Sequence, residues 1–334
     1  MSTIDYLLRL GQKVDPTIHE YLSKGAHSDF LPVAFYQVDT GGKRVRSALA
    51  MVCCEAVGGR VEQALVPAAL VELIHNYSLI MDDIIDYGFV RRGLQTVRAK
   101  YSDAMAILAM AFYREVLDEM VDDCPKPDRM RALLIETIKM MVEGERLDVL
   151  FEQAGRRENY IVSQRYRDVS WQLYFNMIEK KTSALFRASC VAGCIAADAS
   201  ESHVEALSEY GRKIGLSFQV SDDYLDIFGE KTGKERGKDI IQHKLGNAVL
   251  LSAFDEMAAK DRAKVLKGLR SSIVRKGDVT RVLRLIEKTD AQARTRKLAQ
   301  SFADEAKEKL GILKESEAKK ALIELADFIV KRSY

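Results

Sequence analysis

The chain has 334 residues, 47% apolar and 30% charged, so it carries enough apolar mass to bury a large core and is not a disordered segment. Lys and Arg total 51 against 49 for Asp and Glu, a formal charge of +2, which excludes a polybasic nucleic-acid binder or an acidic tail protein. Five cysteines, without CxxC or disulfide-framework spacing, point to a reducing, cytoplasmic setting.

The N-terminus, MSTIDYLLRL, has Asp5 where a signal peptide needs cations. The longest unbroken apolar run covers ten residues, 104–113, so no membrane span is expected. Prolines occur only at 16, 32, 67, 125 and 127, which favours long helices over the remainder of the chain. Breaks at 58–59, 124–127, 155–158, 198–200 and 229–238 are short, and none reads as a linker. Ser202 and Glu205 have capping-box spacing, which places a helix start near Ser200. Ala318, Ala321, Leu322, Leu325, Ala326, Ile329 and Val330 form one stripe at three-and-four spacing. Alternating strand patterns are scarce, so the expectation is a single all-α domain over residues 1–334, a bundle of ten or more helices.

Three places along this chain carry chemistry. First, Gly41-Gly42-Lys43-Arg44-Val45-Arg46 opens a helix-like run, where glycines and backbone N–H groups suit an anion, although a plain helix start with surface cations has the same pattern. Second, an apolar stretch, 67–81, ends in Asp82, Asp83 and Asp86, with Asp82 and Asp86 one helical turn apart. Two carboxylates at the end of a buried helix repel each other, and a hard divalent ion is the natural remedy. Third, FQVSDDYLD repeats the arrangement with Asp222 and Asp226.

Arg91 and Arg92 follow the first acidic set; Lys231, Lys234, Lys238 and Lys244 follow the second. A polyphosphate held by both sets, with metal ions bridging carboxylate to phosphate and cations on the other oxygens, accounts for that alternation. Salt-bridged helix ends are the plainer alternative. His75, about two turns before Asp82, is either an anion donor or an ordinary core histidine. Gly229 to Lys234 is not a P-loop, because no Ser or Thr follows the lysine. No GxSxG elbow and no HExxH pair occur, so nucleophilic serine and zinc hydrolysis lack support.

In order, GGKRVR, DDIIDYGFVRRG, EKKTSAL and FQVSDDYLD resemble the trans-isoprenyl diphosphate synthases of the polyprenyl synthetase family over residues 39–250. The resemblance implies the isoprenoid synthase fold, one all-α bundle around a deep apolar cavity, and a homodimer. It implies Mg²⁺, three ions with Mn²⁺ as the alternative, ligated by Asp82, Asp86 and Asp222 with Asp83 and Asp226 in support and Asp148 of GERLD close by. Arg91, Lys181, Lys234 and Lys244 match positions that grip an allylic diphosphate. Gly42, Lys43, Arg46, His75 and Arg92 match those that bind isopentenyl diphosphate. Lys181, Thr182 and Gln219 match positions that steady an allylic cation.

Tyr77 before Ser78, with no insertion in DDIID, resembles the archaeal-type geranylgeranyl diphosphate synthases, with Met81, Met105 and Met110 as further tunnel-shaping residues. The implied product has twenty carbons, with fifteen and twenty-five as alternatives. Ser47, Gln95, Met110-Ala111, Glu145 and the QHKLGN segment at 242–247 depart from the family pattern. Lys331-Arg332 is either a solvated chain end or a cap on the diphosphates. A terpene cyclase is the competing enzyme, disfavoured by GGKRVR and the second intact acidic set; a non-catalytic subunit or helical scaffold is disfavoured because every motif acid is present.

Overall fold

The computed structural model describes residues 3–229 and 236–331. Eighteen α-helices dominate them, and the only sheet among the described residues is a two-stranded hairpin, Val90–Arg91 against Leu94–Gln95. The all-α expectation and the helix count both hold. The chain packs as two compact units, each assembled from three stretches: Met1–Lys139, Leu185–Gly211 and Lys307–Leu325 form one, Met140–Ala184, Arg212–Ala306 and Ala326–Tyr334 the other.

In the first unit, Val45–Ala56 and Leu65–Ile85 carry the core, with Leu49, Met51, Leu70, Leu73 and Ile74 fully buried. Full burial of each such side chain is worth ~1.5–3 kcal/mol. Small residues let helices approach closely here. A Cβ on Gly193, in the Ala184–Ala196 helix, would stand 2.1 Å from the Ala50 carbonyl oxygen. The neighbouring Cys53, Cys54, Cys190 and Cys194 are free and buried, so they act as small packing groups.

By length and composition, residues Val61–Ile85 would suffice to cross a membrane, a feature the count of unbroken apolar runs misses. Of its most apolar window, 72% is buried inside the protein, as in a core helix. In the second unit the core gathers Phe151, Tyr174, Val220, Ile227, Leu245, Val249 and Leu250.

The helix expected near Ser200 is Glu201–Phe228, and the Ser200 hydroxyl, not that of Ser202, accepts from the His203 N–H at 3.4 Å. The cap therefore lies two residues before the sequence pattern. The C-terminal stripe lies on the Glu317–Lys331 helix, with Ala321, Leu322, Leu325, Ala326, Ile329 and Val330 all buried. Lys331 is exposed; Arg332, Lys231 and Lys234 lie outside the described residues.

Candidate active site

The first acidic set closes the Leu65–Ile85 helix. A helix C-terminus carries the negative end of the backbone dipole, so carboxylates there are doubly disfavoured without a cation. The helix stops in a reversal: the Gly88 N–H donates to the Asp83 carbonyl at 2.8 Å and the Tyr87 N–H to Ile84 at 3.4 Å, with Tyr87 left-handed at φ 53°. Glycine usually takes that position. The turn carries Arg91 back onto the helix end, where Nε and Nη2 each donate to an Asp83 carboxylate oxygen at 2.9 Å. Asp83 thus points inward with Arg91 as its partner. Asp82 and Asp86, both half-buried, stay one turn apart, with the Asp86 N–H on the Asp82 carbonyl at 2.8 Å.

The basic loop of the same unit separates its arginines by role. Arg44, left-handed at φ 49°, is buried: Nε donates to Asp15 at 2.8 Å, Nη1 stands 3.3 Å from Glu72, and Nη2 donates to the Val38 carbonyl at 2.8 Å. Ser47 spends its hydroxyl on the same Glu72 and on the Arg44 carbonyl. Arg46 takes a different direction. Its Nη1 lies 3.3 Å from His75 Nε2, and its guanidinium covers the Phe186 ring at 4.6 Å.

Gly42 has φ 141°, where a side chain would be strained, and a Cβ there would stand 2.8 Å from Arg92 Nη2, so the guanidinium lies close against this glycine. Lys43 is exposed beside it. Burial, and then the fields of Arg46, Arg92, Arg91 and Arg44, hold the His75 imidazole well below its ordinary pKa. Gly42, Arg46, His75 and Arg92 are therefore gathered in one basic pocket around a neutral imidazole, a setting suited to an anion.

A folded-state pKa depressed below the unfolded value means that the unfolded chain takes up the proton first. The contribution of His75 to stability is complete above about pH 6.5 and is lost at ~1.4 kcal/mol per pH unit as the pH falls below it. The His75→Gln variant is expected to lose less melting temperature than the wild type between pH 7 and pH 5. Parallel melting curves would remove the effect.

In the second unit, Asp148 sits near the end of the Pro127–Phe151 helix and accepts from Lys181 Nζ at 2.6 Å and Lys244 Nζ at 2.7 Å. Burial alone would raise its carboxyl pKa; the two ammonium groups reverse that and hold it well below the usual carboxylate range. Glu145, the extra acid of this chain, lies 2.6 Å from Lys181, so the added charge has a counter-charge.

Lys181 and Thr182 belong to a π-helical turn, Glu179–Ser183, which widens the helix locally and re-aims its side chains. Two glycines make room for it. A Cβ on Gly144 would stand 2.2 Å from the Lys181 nitrogen, and one on Gly215 would stand 2.4 Å from the Ser183 Cα. Neither glycine is picked out by the sequence reading, and the π turn has no sequence period that reveals it.

Lys244 is fixed by an antiparallel bridge between its backbone and that of Glu152. Before it, His243 is left-handed at φ 62°, a conformation that favours glycine, with Nδ1 2.9 Å from the Leu269 carbonyl oxygen. Asn247 caps the Ala248–Phe254 helix, accepting from the Val249 and Leu250 N–H groups at 2.9 and 3.2 Å. The QHKLGN departure thus keeps a left-handed turn, the lysine and a helix cap.

The second acidic set lies in the last turns of Glu201–Phe228, again at a helix C-terminus. Asp222 and Asp226 are half-buried one turn apart. Burial and the neighbouring Asp239 push Asp226 up to about 7, against the opposing pull of the Asp239 and Lys238 N–H groups at 3.2 and 2.9 Å. Asp223 turns inward. It accepts from Tyr174 Oη at 2.7 Å, Gln219 Nε2 at 2.9 Å and the Ala248 N–H at 2.8 Å, while Thr182 Oγ1 donates to Gln219 Oε1 at 2.6 Å.

Among the described residues no group of three or more His, Cys, Asp or Glu side chains stands ready to hold a metal ion. Each acidic set instead offers a pair of hard oxygen donors, which fits Mg²⁺ because that ion keeps water or phosphate oxygens on its other positions. A cleft of about 540 Å³ in the second unit, lined by Trp171, Phe175 and Met140 among others, contains none of the sequence-predicted site residues.

Comparison with known proteins gives the family of the chain. Over 99% of this chain and 98% of the other, the structure superposes with TM-score 0.88 and 32% identity on geranylgeranyl pyrophosphate synthetase from Pyrococcus horikoshii. It also matches a polyprenyl synthase from Caulobacter crescentus, complexed with calcium and isoprenyl diphosphate, at TM-score 0.87 and 26% identity over the same shares of the two chains. The geranylgeranyl diphosphate synthase of Methanosarcina mazei is 34% identical, across 100% of this chain and 99% of the relative. These likenesses define a prenyl-synthase fold. The polyprenyl synthetase pattern matches residues 28–286, and the chain belongs to that family of prenyltransferases.

Proposed function

We propose that this protein is a Mg²⁺-dependent prenyltransferase that joins isopentenyl diphosphate to an allylic prenyl diphosphate and releases geranylgeranyl diphosphate. One observation carries the reading: an acid pair one turn apart, at the C-terminal end of a helix, occurs twice, and each copy shares its unit with fixed cations. Asp82 with Asp86, and Asp222 with Asp226, would hold divalent ions, which would supply Lewis-acid neutralisation of a departing diphosphate.

Arg91, Lys181, Lys234 and Lys244 bind the allylic diphosphate. Their partners support this assignment for three of them, since Asp83 and Asp148 hold Arg91, Lys181 and Lys244 in place before any ligand arrives. Gly42, Lys43, Arg46, His75 and Arg92 bind the second diphosphate. The allylic C–O bond breaks with its electron pair leaving on diphosphate, the alkene of isopentenyl diphosphate attacks the allylic carbon, and a proton then passes to the released diphosphate. Lys181, Thr182 and Gln219 steady the cation without a covalent bond, while an apolar cavity keeps out the water that would trap it.

The decisive experiment incubates the purified protein with Mg²⁺, labelled isopentenyl diphosphate and each allylic primer separately. An elongated prenyl diphosphate supports the reading; a cyclic hydrocarbon, or no product with any primer, overturns it in favour of a cyclase or a non-catalytic subunit.

Product length is assigned to Tyr77. It stands five residues before Asp82, about 7.5 Å along the helix axis, and is half-buried, its phenol pKa raised by burial against the opposing field of Arg114; a tail growing down the helix from the acidic end would meet it. Tyr77→Ser is expected to shift the product from twenty carbons to twenty-five or more, read by chromatography of the dephosphorylated alcohols. An unchanged distribution removes Tyr77 from the length control. Two copies are proposed to associate as a homodimer through the exposed Ile107 and Leu108 on the Asp103–Asp122 helix, and the five free, buried cysteines support a cytoplasmic location.

A further inference from the structure

Asp222 and Asp223 are adjacent in sequence but do opposite things. A helix turns each residue by about 100°, so Asp223 leaves the acidic face and enters the second unit's interior, where it is 3% exposed. Its three hydrogen bonds all run toward it: Tyr174 Oη and the Ala248 N–H on Oδ2, and Gln219 Nε2 on Oδ1. Burial and the neighbouring Asp239 push its pKa well up, and the three donors pull the other way by holding the ionised form; a carboxylate held by these donors presents only acceptors, so a primary amide facing it turns its nitrogen that way. The other end of that amide, Oε1, then faces Thr182, and the Thr182 hydroxyl can only donate to it, as it does at 2.6 Å.

A hydroxyl whose proton is committed in this way offers lone pairs, not its positive end, to whatever lies on its remaining side. For an allylic cation that polarity decides the sign of the interaction. We propose that Asp223 is a positioning residue that fixes the donor–acceptor direction of the relay Thr182 to Gln219 to Asp223, so that the Thr182 oxygen presents lone pairs to the developing cation. This rests on the prenyl-transfer reading above and adds to it a residue that touches no substrate. The Ala248 N–H is what makes the direction testable, because a backbone donor cannot reverse.

In Asp223→Asn, that N–H claims the new amide's oxygen and leaves its nitrogen facing Gln219. Gln219 must then flip, accept from Asn at Oε1 and donate from Nε2 to Thr182, whose own proton is pushed toward the cation. The variant is isosteric, and its expected signature is a fall in kcat of about 10–100-fold with KM for both substrates within about threefold, the range for one oriented electrostatic group. The double variant Asp223→Asn with Gln219→Glu restores the original polarity with the same total charge: Asn donates to Glu, and Thr182 donates to Glu. It is expected to recover at least about tenfold of the lost kcat. A purely structural role for Asp223 predicts the reverse, a double variant no better than the single one.

A readout independent of turnover is the side-chain amide of Gln219 in protein labelled with ¹⁵N at glutamine, identified by its loss in Gln219→Glu. Bonded to a buried carboxylate, its amide proton is expected far downfield and slow to exchange, and both features should vanish in Asp223→Asn while the melting temperature stays within a few degrees. An unchanged signal, or an Asp223→Asn enzyme with wild-type kcat, overturns the inference. A moved signal in a protein that elongates no primer overturns the prenyl-transfer reading and leaves the positioning role of Asp223 standing.

Discussion

Asp82→Asn and Asp222→Asn are each expected to lower kcat by about 10³-fold while leaving the melting temperature equal to the wild type's or slightly higher. The two signs have separate causes. Neutralising a departing diphosphate is worth several kcal/mol of transition-state charge stabilisation, and each 1.4 kcal/mol is about tenfold in rate. The same carboxylates sit at helix C-termini, where removing a negative charge relieves a repulsion with the backbone dipole of about 0.3–1 kcal/mol.

Asp83→Asn makes the informative contrast, because it breaks the two-bond pairing with Arg91. It should lose about 1.5–3 kcal/mol of stability, as the loss of hydrogen bonds to a charged group does, and lose activity as a consequence. Steady-state kinetics and thermal melting on the three variants decide the matter. An Asp82→Asn enzyme within about tenfold of wild-type kcat would detach that acid from the diphosphate chemistry.

The family and the helical class were legible in the chain because both rest on spacing. Three-and-four periodicity marks the Glu317–Lys331 helix and the two acidic helices, and motif order carries the resemblance. What spacing leaves out is direction. Nothing in DDIID or DDYLD distinguishes the acid that turns inward from those on the outer register; that depends on what the rest of the fold brings to the helix, Arg91 in one case and Tyr174, Gln219 and Ala248 in the other.

The π turn at Glu179–Ser183 has no sequence period, and the glycines that admit it, Gly144 and Gly215, look in the sequence like helix weaknesses. The division into two units was equally hidden, since each is assembled from three distant stretches and no linker marks a boundary. Asp148 shows the same limit. Its motif gives no sign of its partners, the ammonium groups of Lys181 and Lys244.

Arg44→Ala and Arg46→Ala should fail in opposite ways, although the two arginines lie two residues apart in one basic motif. Arg44 is 4% exposed and holds Asp15 and Glu72. Removing it strands Glu72, itself 1% exposed, and breaking a buried pair from one side costs about 3–5 kcal/mol. That is a large part of the ~5–15 kcal/mol by which a typical protein is stable, so Arg44→Ala should express poorly or melt many degrees lower. Lysine is no substitute, because one ammonium cannot reach Asp15, Glu72 and the Val38 carbonyl together.

Arg46 instead faces His75 and Phe186 in the basic pocket. On the proposed reading its loss would remove one charge-assisted contact to a diphosphate, worth about 1.5–3 kcal/mol, so KM for isopentenyl diphosphate should rise about 10–100-fold with KM for the allylic primer and the melting temperature nearly unchanged. The imidazole supplies a second sign. With Arg46, the largest of the arginine fields on it, removed, the pKa of His75 should climb back toward its ordinary value, observable by NMR titration of the ring protons. An Arg46→Ala protein that unfolds with Arg44→Ala, or that binds isopentenyl diphosphate as the wild type does, would place that pocket outside substrate binding.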